Sequence, residues 1–227
     1  MSELNHSELP SEMATLLLLR GTGLAPLNWA EHPNRSARHA LGPLSDPSLL
    51  GVAEIRDRGM ASAVRALLFV WNGWTDDCAA AALGAHADER YYLSALCERH
   101  LGHPDASKAL LQKLDGHPIY DELASFARQL IGATSEPALT RFTGILELNE
   151  TWEPFAFIDL YEQARGEQLN LVDRETVARI QVREFDLLLA YCYKAATGEE
   201  IGKRRGGRPV PVRKRPSPRR PRPAPSS

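Results

Sequence analysis

Between Asp173 and Gly198 the residues Ala178, Val182, Phe185, Leu189, Cys192 and Ala196 fall at alternating steps of four and three. Only an α-helix gathers such positions onto one face, so the stretch predicts a helix of about 23 residues, roughly 35 Å long at 1.5 Å per residue. Asp173 is placed to cap its start and Gly198 to close it in a left-handed conformation. A rod of that length with an apolar stripe needs other helices to cover it.

Those helices are legible upstream. Ala61, Val64, Leu67, Leu68 and Trp71 follow helical spacing, and Phe69 and Val70 widen the stripe until the helix reads as mostly buried. Gly73 breaks it, and Asp76 and Asp77 then sit where a new helix N-terminus favours negative charge. That helix continues through "CAAAAL" to Gly84, and the next covers roughly Asp88 to Leu101. Another lies between Gly102-His103-Pro104 and Gly116-His117-Pro118. A further one runs from Pro118 to Ile131 with Ile119, Leu123, Phe126 and Leu130 on one face. "WEPFAFIDLYEQARG" starts one more, with Pro154 near its first turn and Gly166 after its end. Strand signals are almost absent, and short links between consecutive helices imply antiparallel neighbours. The expected class is all-α, an antiparallel helical bundle or helical-hairpin array, without a repeat near the 34 residues of tetratricopeptide arrays.

Three regions follow. Residues 1–46 read as an irregular N-terminal segment packing on the core, because Pro10, Gly21, Gly23, Pro26, Pro33, Gly42 and Pro43 interrupt every candidate element. Within it Leu16–Leu19 reads as a short strand or one helical turn, and Trp29 is expected to tuck onto the core. Residues 47–199 form the all-helical domain, opened by Ser45 or Asp46 as a cap ahead of Pro47. Residues 200–227 form a disordered Arg/Pro-rich tail: from Gly202 onward there are seven prolines, ten cations and almost nothing to bury.

The net charge of −2 conceals an asymmetry. Ten of the 27 basic residues lie in the tail with no acid among them, which leaves 17 basic against 29 acidic residues in the rest of the chain, a net of −12. The tail cations are Lys203, Arg204, Arg205, Arg208, Arg213, Lys214, Arg215, Arg219, Arg220 and Arg222. Such a run attracts phosphates and releases their counterions. Without Phe, Tyr or Trp to stack on bases it would hold nucleic acid non-specifically, and an anionic surface would serve equally.

Cys78, Cys97 and Cys192 are odd in number and widely spaced, which fits a reducing compartment better than a disulfide framework. The apolar run in "MATLLLLRG" follows Glu3, Glu8 and Glu12 and lacks a basic leader, so it does not read as an export signal. No stretch approaches the ~18 apolar residues of a membrane span, and the expected location is cytoplasmic.

The doubled Gly-His-Pro raises the question of a metal site. Glycine just past one helix and proline just inside the next make a corner, so His103 and His117 are expected as corner residues at opposite ends of one short helix, roughly 15–20 Å apart. Ligands of one ion lie within about 2 Å of it, which excludes a shared ion across a straight helix. The tighter cluster is Cys97, His100 and His103; it lacks a second close pair to complete a zinc set, and His100 lies beside Leu93, Leu96 and Leu101 on the apolar stripe. Trp71, Trp74, Asp76 and Asp77 form a second candidate, as a ligand pocket with carboxylates for acid–base work. A helix–helix turn with capping carboxylates and two core tryptophans accounts for the same residues. No Ser/His/Asp order, phosphate-binding loop, dinucleotide fingerprint or HExxH motif occurs.

Four segments, "ALLFVWNGWTDD" (66–77), "YYLSALCERHLGHPDASKALLQKLDGHPIYDELA" (91–124), "WEPFAFIDLYEQA" (152–164) and "REFDLLLAYCYKAATGEE" (183–200), resemble an uncharacterised bacterial family of small all-helical proteins. The resemblance implies an all-helical domain ending near Gly198 and carries no established activity. It also implies that Leu93 and Cys97 stand where the family carries histidine on the 91–102 helix, with Cys78 replacing another, so that a polar face there is reduced in this chain.

The sequence thus leads to a non-enzymatic binding or assembly protein that presents a helical face to a partner protein, with the tail as an electrostatic attachment and no cofactor. The rival reading is a small enzyme or metal-dependent protein centred on Cys97, His100 and His103.

Overall fold

The computed structural model describes residues 9–21 and 25–201. Among them are eleven helices and no strand: α1 (Ser11–Leu18), α2 (Arg35–Leu41), α3 (Asp46–Leu50), α4 (Arg58–Trp71), α5 (Thr75–Ala82), α6 (Ala87–Leu101), α7 (Pro104–Leu111), α8 (Tyr120–Ile131), α9 (Pro137–Asn149), α10 (Pro154–Arg165) and α11 (Leu171–Thr197). The fold is all-α. No helix among the described residues is long and apolar enough to cross a membrane.

Two helices organise the rest. α4 begins where the Asp57 carboxylate accepts from the Met60 amide (3.0 Å), and its residues from Met60 to Trp71 are buried except Ser62 and Arg65. A helix apolar on every side belongs at the centre, and α4 packs against α5, α6 and α11 as well as the three N-terminal helices. α11 is the other axis. At 27 residues it spans about 40 Å, and it packs on α4, α8 and α10. All six residues of its predicted stripe are buried, together with Val177, Ile180, Leu188 and Tyr193 on further sides. Gly198 closes it in the left-handed region. Its cap is Asn170 rather than Asp173: the Asn170 side chain accepts from the Asp173 amide (3.0 Å), which adds three residues at the start.

The first Gly-His-Pro is a direct corner. Gly102 ends α6 with φ +80° and Pro104 opens α7. The second is looser: α7 stops at Leu111, and α8 starts at Tyr120, two residues after Pro118. On α8 the buried stripe runs through Tyr120, Leu123, Ala124, Ala127 and Ile131, with Phe126 and Leu130 only partly covered.

Residues 9–21 and 25–46 contain α1 and α2, and a strap around Trp29 crosses the bundle. Trp29 is fully buried in an aromatic nest, edge-on to Trp71 (4.9 Å between ring centres) and Phe185 (5.8 Å) and stacked on His100 (4.6 Å). The Leu27 carbonyl accepts from Gln181 Nε2 (2.9 Å) and the Tyr161 hydroxyl (3.3 Å), and the Asn34 amide donates to the Asn72 carbonyl (2.9 Å). α3 is fastened by Arg65, which donates to Asp46 and to the carbonyls of Leu41 and Leu44.

Gly73 makes the strap possible. Its φ is +82°, and a β-carbon there would sit 2.5 Å from the Trp29 carbonyl oxygen and 2.9 Å from the Pro33 α-carbon, both backbone atoms that cannot step aside. Gly116 has φ +108° with nothing within 4 Å of the same position. Gly116→Ala therefore carries only the conformational cost, about 1–2 kcal/mol. Gly73→Ala adds displacement of the strap and is expected to cost clearly more in chemical denaturation, with Trp29 emission shifted to the red.

Candidate functional site

The structure separates the three residues of the α6 cluster. Cys97 is buried, and its thiol donates to the Thr75 carbonyl (3.6 Å) on α5. Across the same contact lies Cys78, whose thiol is held well above its ordinary range by the hydrogen bond to Cys97 and by burial. His103 is exposed, with Nδ1 against Glu98 (2.8 Å). His100 points inward. Its Nδ1 accepts from the Trp29 amide (3.3 Å) and lies 3.4 Å from the Tyr161 hydroxyl, which places the proton on Nε2. The one lone pair a neutral imidazole offers is thus already in use, and Nε2 has no hydrogen-bond partner among the described residues. Burial, with Arg99 and Arg20 nearby, pushes its pKa well below the ordinary value. Among the described residues no group of three or more His, Cys, Asp or Glu is placed to hold a metal.

His117 lies elsewhere, ringed by Tyr92 (5.0 Å), Tyr120 (6.0 Å) and Tyr191 (5.2 Å). Burial lowers its pKa to about 4, against a smaller opposing effect of Asp88. His86 pairs with Asp57 (2.9 Å).

The most heavily engaged polar group was not foreseen from sequence. Arg99 on α6 and Glu184 on α11 form an ion pair with both side chains only 3% exposed. The Tyr92 hydroxyl donates to the same carboxylate (2.8 Å), and the Arg99 guanidinium lies over Phe157 (5.1 Å) and Tyr161 (5.5 Å) of α10. Burial works against the Arg99 charge, but Glu184 outweighs it and keeps the guanidinium above its ordinary pKa.

The second candidate set also divides. Trp71 is interior, stacked on Phe185 (4.6 Å), with its indole N–H directed at the Leu17 carbonyl (3.4 Å). Trp74 lies at the surface, its indole N–H donating to the Asn34 carbonyl (2.8 Å). Asp76 is exposed on the first turn of α5. Asp77 reaches across to α2, where Arg38 meets it through Nε (2.9 Å) and Nη2 (3.2 Å). The ten tail cations lie outside the described residues.

Trp74 and Arg38 instead border an open groove of about 830 Å³ with Arg35, His39, Gly42 and Pro43. The Arg38 guanidinium stacks on the Trp74 ring (4.4 Å). Arg35 and His39 are exposed. A neighbouring recess, lined by Arg20, His32, Pro33 and Asn34 among others, shares Arg35. Burial lowers the Arg20 pKa to about 10, which leaves it charged at neutral pH. The sequence carried a signal for this face: between Glu31 and Asp46 there is no acid, but Arg35, Arg38, His32 and His39 are present.

Comparison of the chain with protein-family models, curated proteins and solved structures finds no match.

The two buried histidines set a pH dependence. Below the ordinary histidine value of about 6.5 the unfolded chain takes up protons that the folded chain refuses, so stability is complete above that pH and falls on acidification. For His117 the loss extends down to about pH 4; His100, held well below its ordinary value by burial, contributes a loss of the same sign. Unfolding free energy measured from pH 7 to pH 4 is expected to fall with a slope approaching about 1.4 kcal/mol per pH unit for each such histidine, and His117→Gln is expected to remove its share of that slope.

Proposed function

We propose that the chain is a non-enzymatic helical binding or assembly protein, its bundle presenting a face to a partner protein and its basic tail adding electrostatic attachment. The observation that carries this reading is the division of labour among polar side chains. Those with chemistry to offer, His100, Cys97, Arg99 and Glu184, are buried and bonded to one another's helices or to the strap. One accessible feature is an open cationic and aromatic groove on a body of net charge −12. Deep, largely enclosed pockets suit small substrates, whereas open faces rich in arginine and aromatic residues suit macromolecular partners.

Two measurements test the reading. Protein purified without an affinity tag is expected to contain no stoichiometric zinc or iron; a stoichiometric metal lost on His103→Ala would favour the metal-dependent alternative. The full chain is expected to bind a double-stranded oligonucleotide at low salt and to release it as salt rises, while a chain ending at Gly198 binds at least about tenfold more weakly. Equal binding by both, or binding by neither, would remove the tail from the proposal.

A further inference from the structure

The groove at α2 carries a more specific assignment, which rests on the binding-protein reading. We propose that it docks an acidic segment of a partner protein, whose carboxylates pair with Arg35 and His39 and whose apolar side chains pack on Trp74 and Pro43.

Charge complementarity is the first argument. The groove is a cationic island on an acidic body, and the chain from His32 to Ser45 contributes no carboxylate to neutralise it. Arg38 is neutralised by Asp77, which engages its Nε and Nη2 and leaves Nη1 outside the pair. Arg35 and His39, both exposed, have no ion pair among the described residues. An incoming carboxylate therefore meets one open cation, Arg35, and beside it the exposed imidazole of His39, which can donate a hydrogen bond.

Preorganisation is the second. Trp74 is fixed at its edge by the hydrogen bond to Asn34 and at its face by Arg38. Arg38 is itself held by Asp77. Binding there immobilises little of Trp74 or Arg38 that is not already ordered, and tryptophan and arginine are among the side chains enriched where binding energy concentrates at protein interfaces.

Other occupants fit less well. The chain's own tail is cationic and is repelled by Arg35. A nucleic-acid backbone needs several cations in line to release its counterions; here Arg38 is paired with Asp77 and Arg35 is left open, and the surrounding body repels phosphates. A small anion would find open walls rather than an enclosure.

The test uses the full chain and two fluorescent peptides of about fourteen residues: one alternating Asp or Glu with Leu or Phe, the other with Lys in place of every acid. The Arg35→Glu/His39→Glu double variant is expected to bind the acidic peptide about tenfold or more weakly than the unaltered protein and to gain binding to the basic one. Arg141→Glu on α9 is expected to change neither by more than about twofold. The tail is common to all three proteins, so only the groove can produce the sign exchange. Circular dichroism checks folding, and Arg35→Gln/His39→Gln is expected to give an intermediate loss without charge reversal. Unchanged acidic-peptide affinity in the double variant would overturn the proposal. So would a groove-dependent loss seen only for an oligonucleotide, or only in self-association of the protein. If the groove fails while tail-dependent binding stands, the broader reading survives; if both fail, both fall.

Discussion

Arg99 and Glu184 are two opposite charges removed from water in the space between α6, α10 and α11, and the arrangement of the bundle turns on them. An isolated charge in that setting costs several kcal/mol in lost hydration, so neither residue is tolerable without the other. Their pairing works only at one relative placement of α6 and α11, which long side chains bridge, with Tyr92 donating to the carboxylate and the rings of Phe157 and Tyr161 against the guanidinium. Apolar stripes alone permit a helix to slide by a turn; a buried pair of charges does not. The strap adds a second constraint of the same kind. Trp29 enters the aromatic nest only where its amide meets His100 and the Leu27 carbonyl meets Gln181 and Tyr161.

This use of polar residues shapes the functional account. The side chains of α6 that invite a catalytic or metal-binding interpretation hold helices and strap together, and their protonation states follow from that role: His100 neutral, Arg99 charged. At the surface charge is segregated: an acidic body, a cationic face at α2 and a run of ten cations from Lys203 to Arg222 in the sequence. On the proposed reading these regions would attract different kinds of partner.

Where the sequence speaks through periodicity it reads well. The α4 and α11 stripes, the glycine ends at Gly73, Gly102 and Gly198, and Pro154 opening α10 all follow from local geometry and are present. α9 was not anticipated: its buried face is only Leu139, Phe142 and Leu146, diluted by Thr140, Thr143 and Gly144. α1 and α2 are short and bounded by Pro10, Gly21 and Gly42, so their helicity depends on packing against α3 and α4 rather than on pattern. The site was harder still. Cys97, His100 and His103 are neighbours in sequence, yet the last turn of α6 and the corner after it aim them at α5, the strap and solvent. Arg99 and Glu184 stand 85 positions apart and meet only through the fold. The groove joins Arg38 to Trp74, also distant in sequence, so the acid-free run at α2 marked half of it and nothing local marked the rest.

The central claim is that buried polar pairing, above all Arg99 with Glu184, fixes how the helices meet. A double-mutant cycle with Arg99→Met and Glu184→Leu, followed by urea denaturation, tests it most directly. The account predicts that each single change costs about 3–5 kcal/mol because it strands the other charge, and that the double variant costs well below the sum, with a coupling above about 1 kcal/mol. Additive costs of under about 1 kcal/mol apiece, the behaviour of a surface pair, would contradict it.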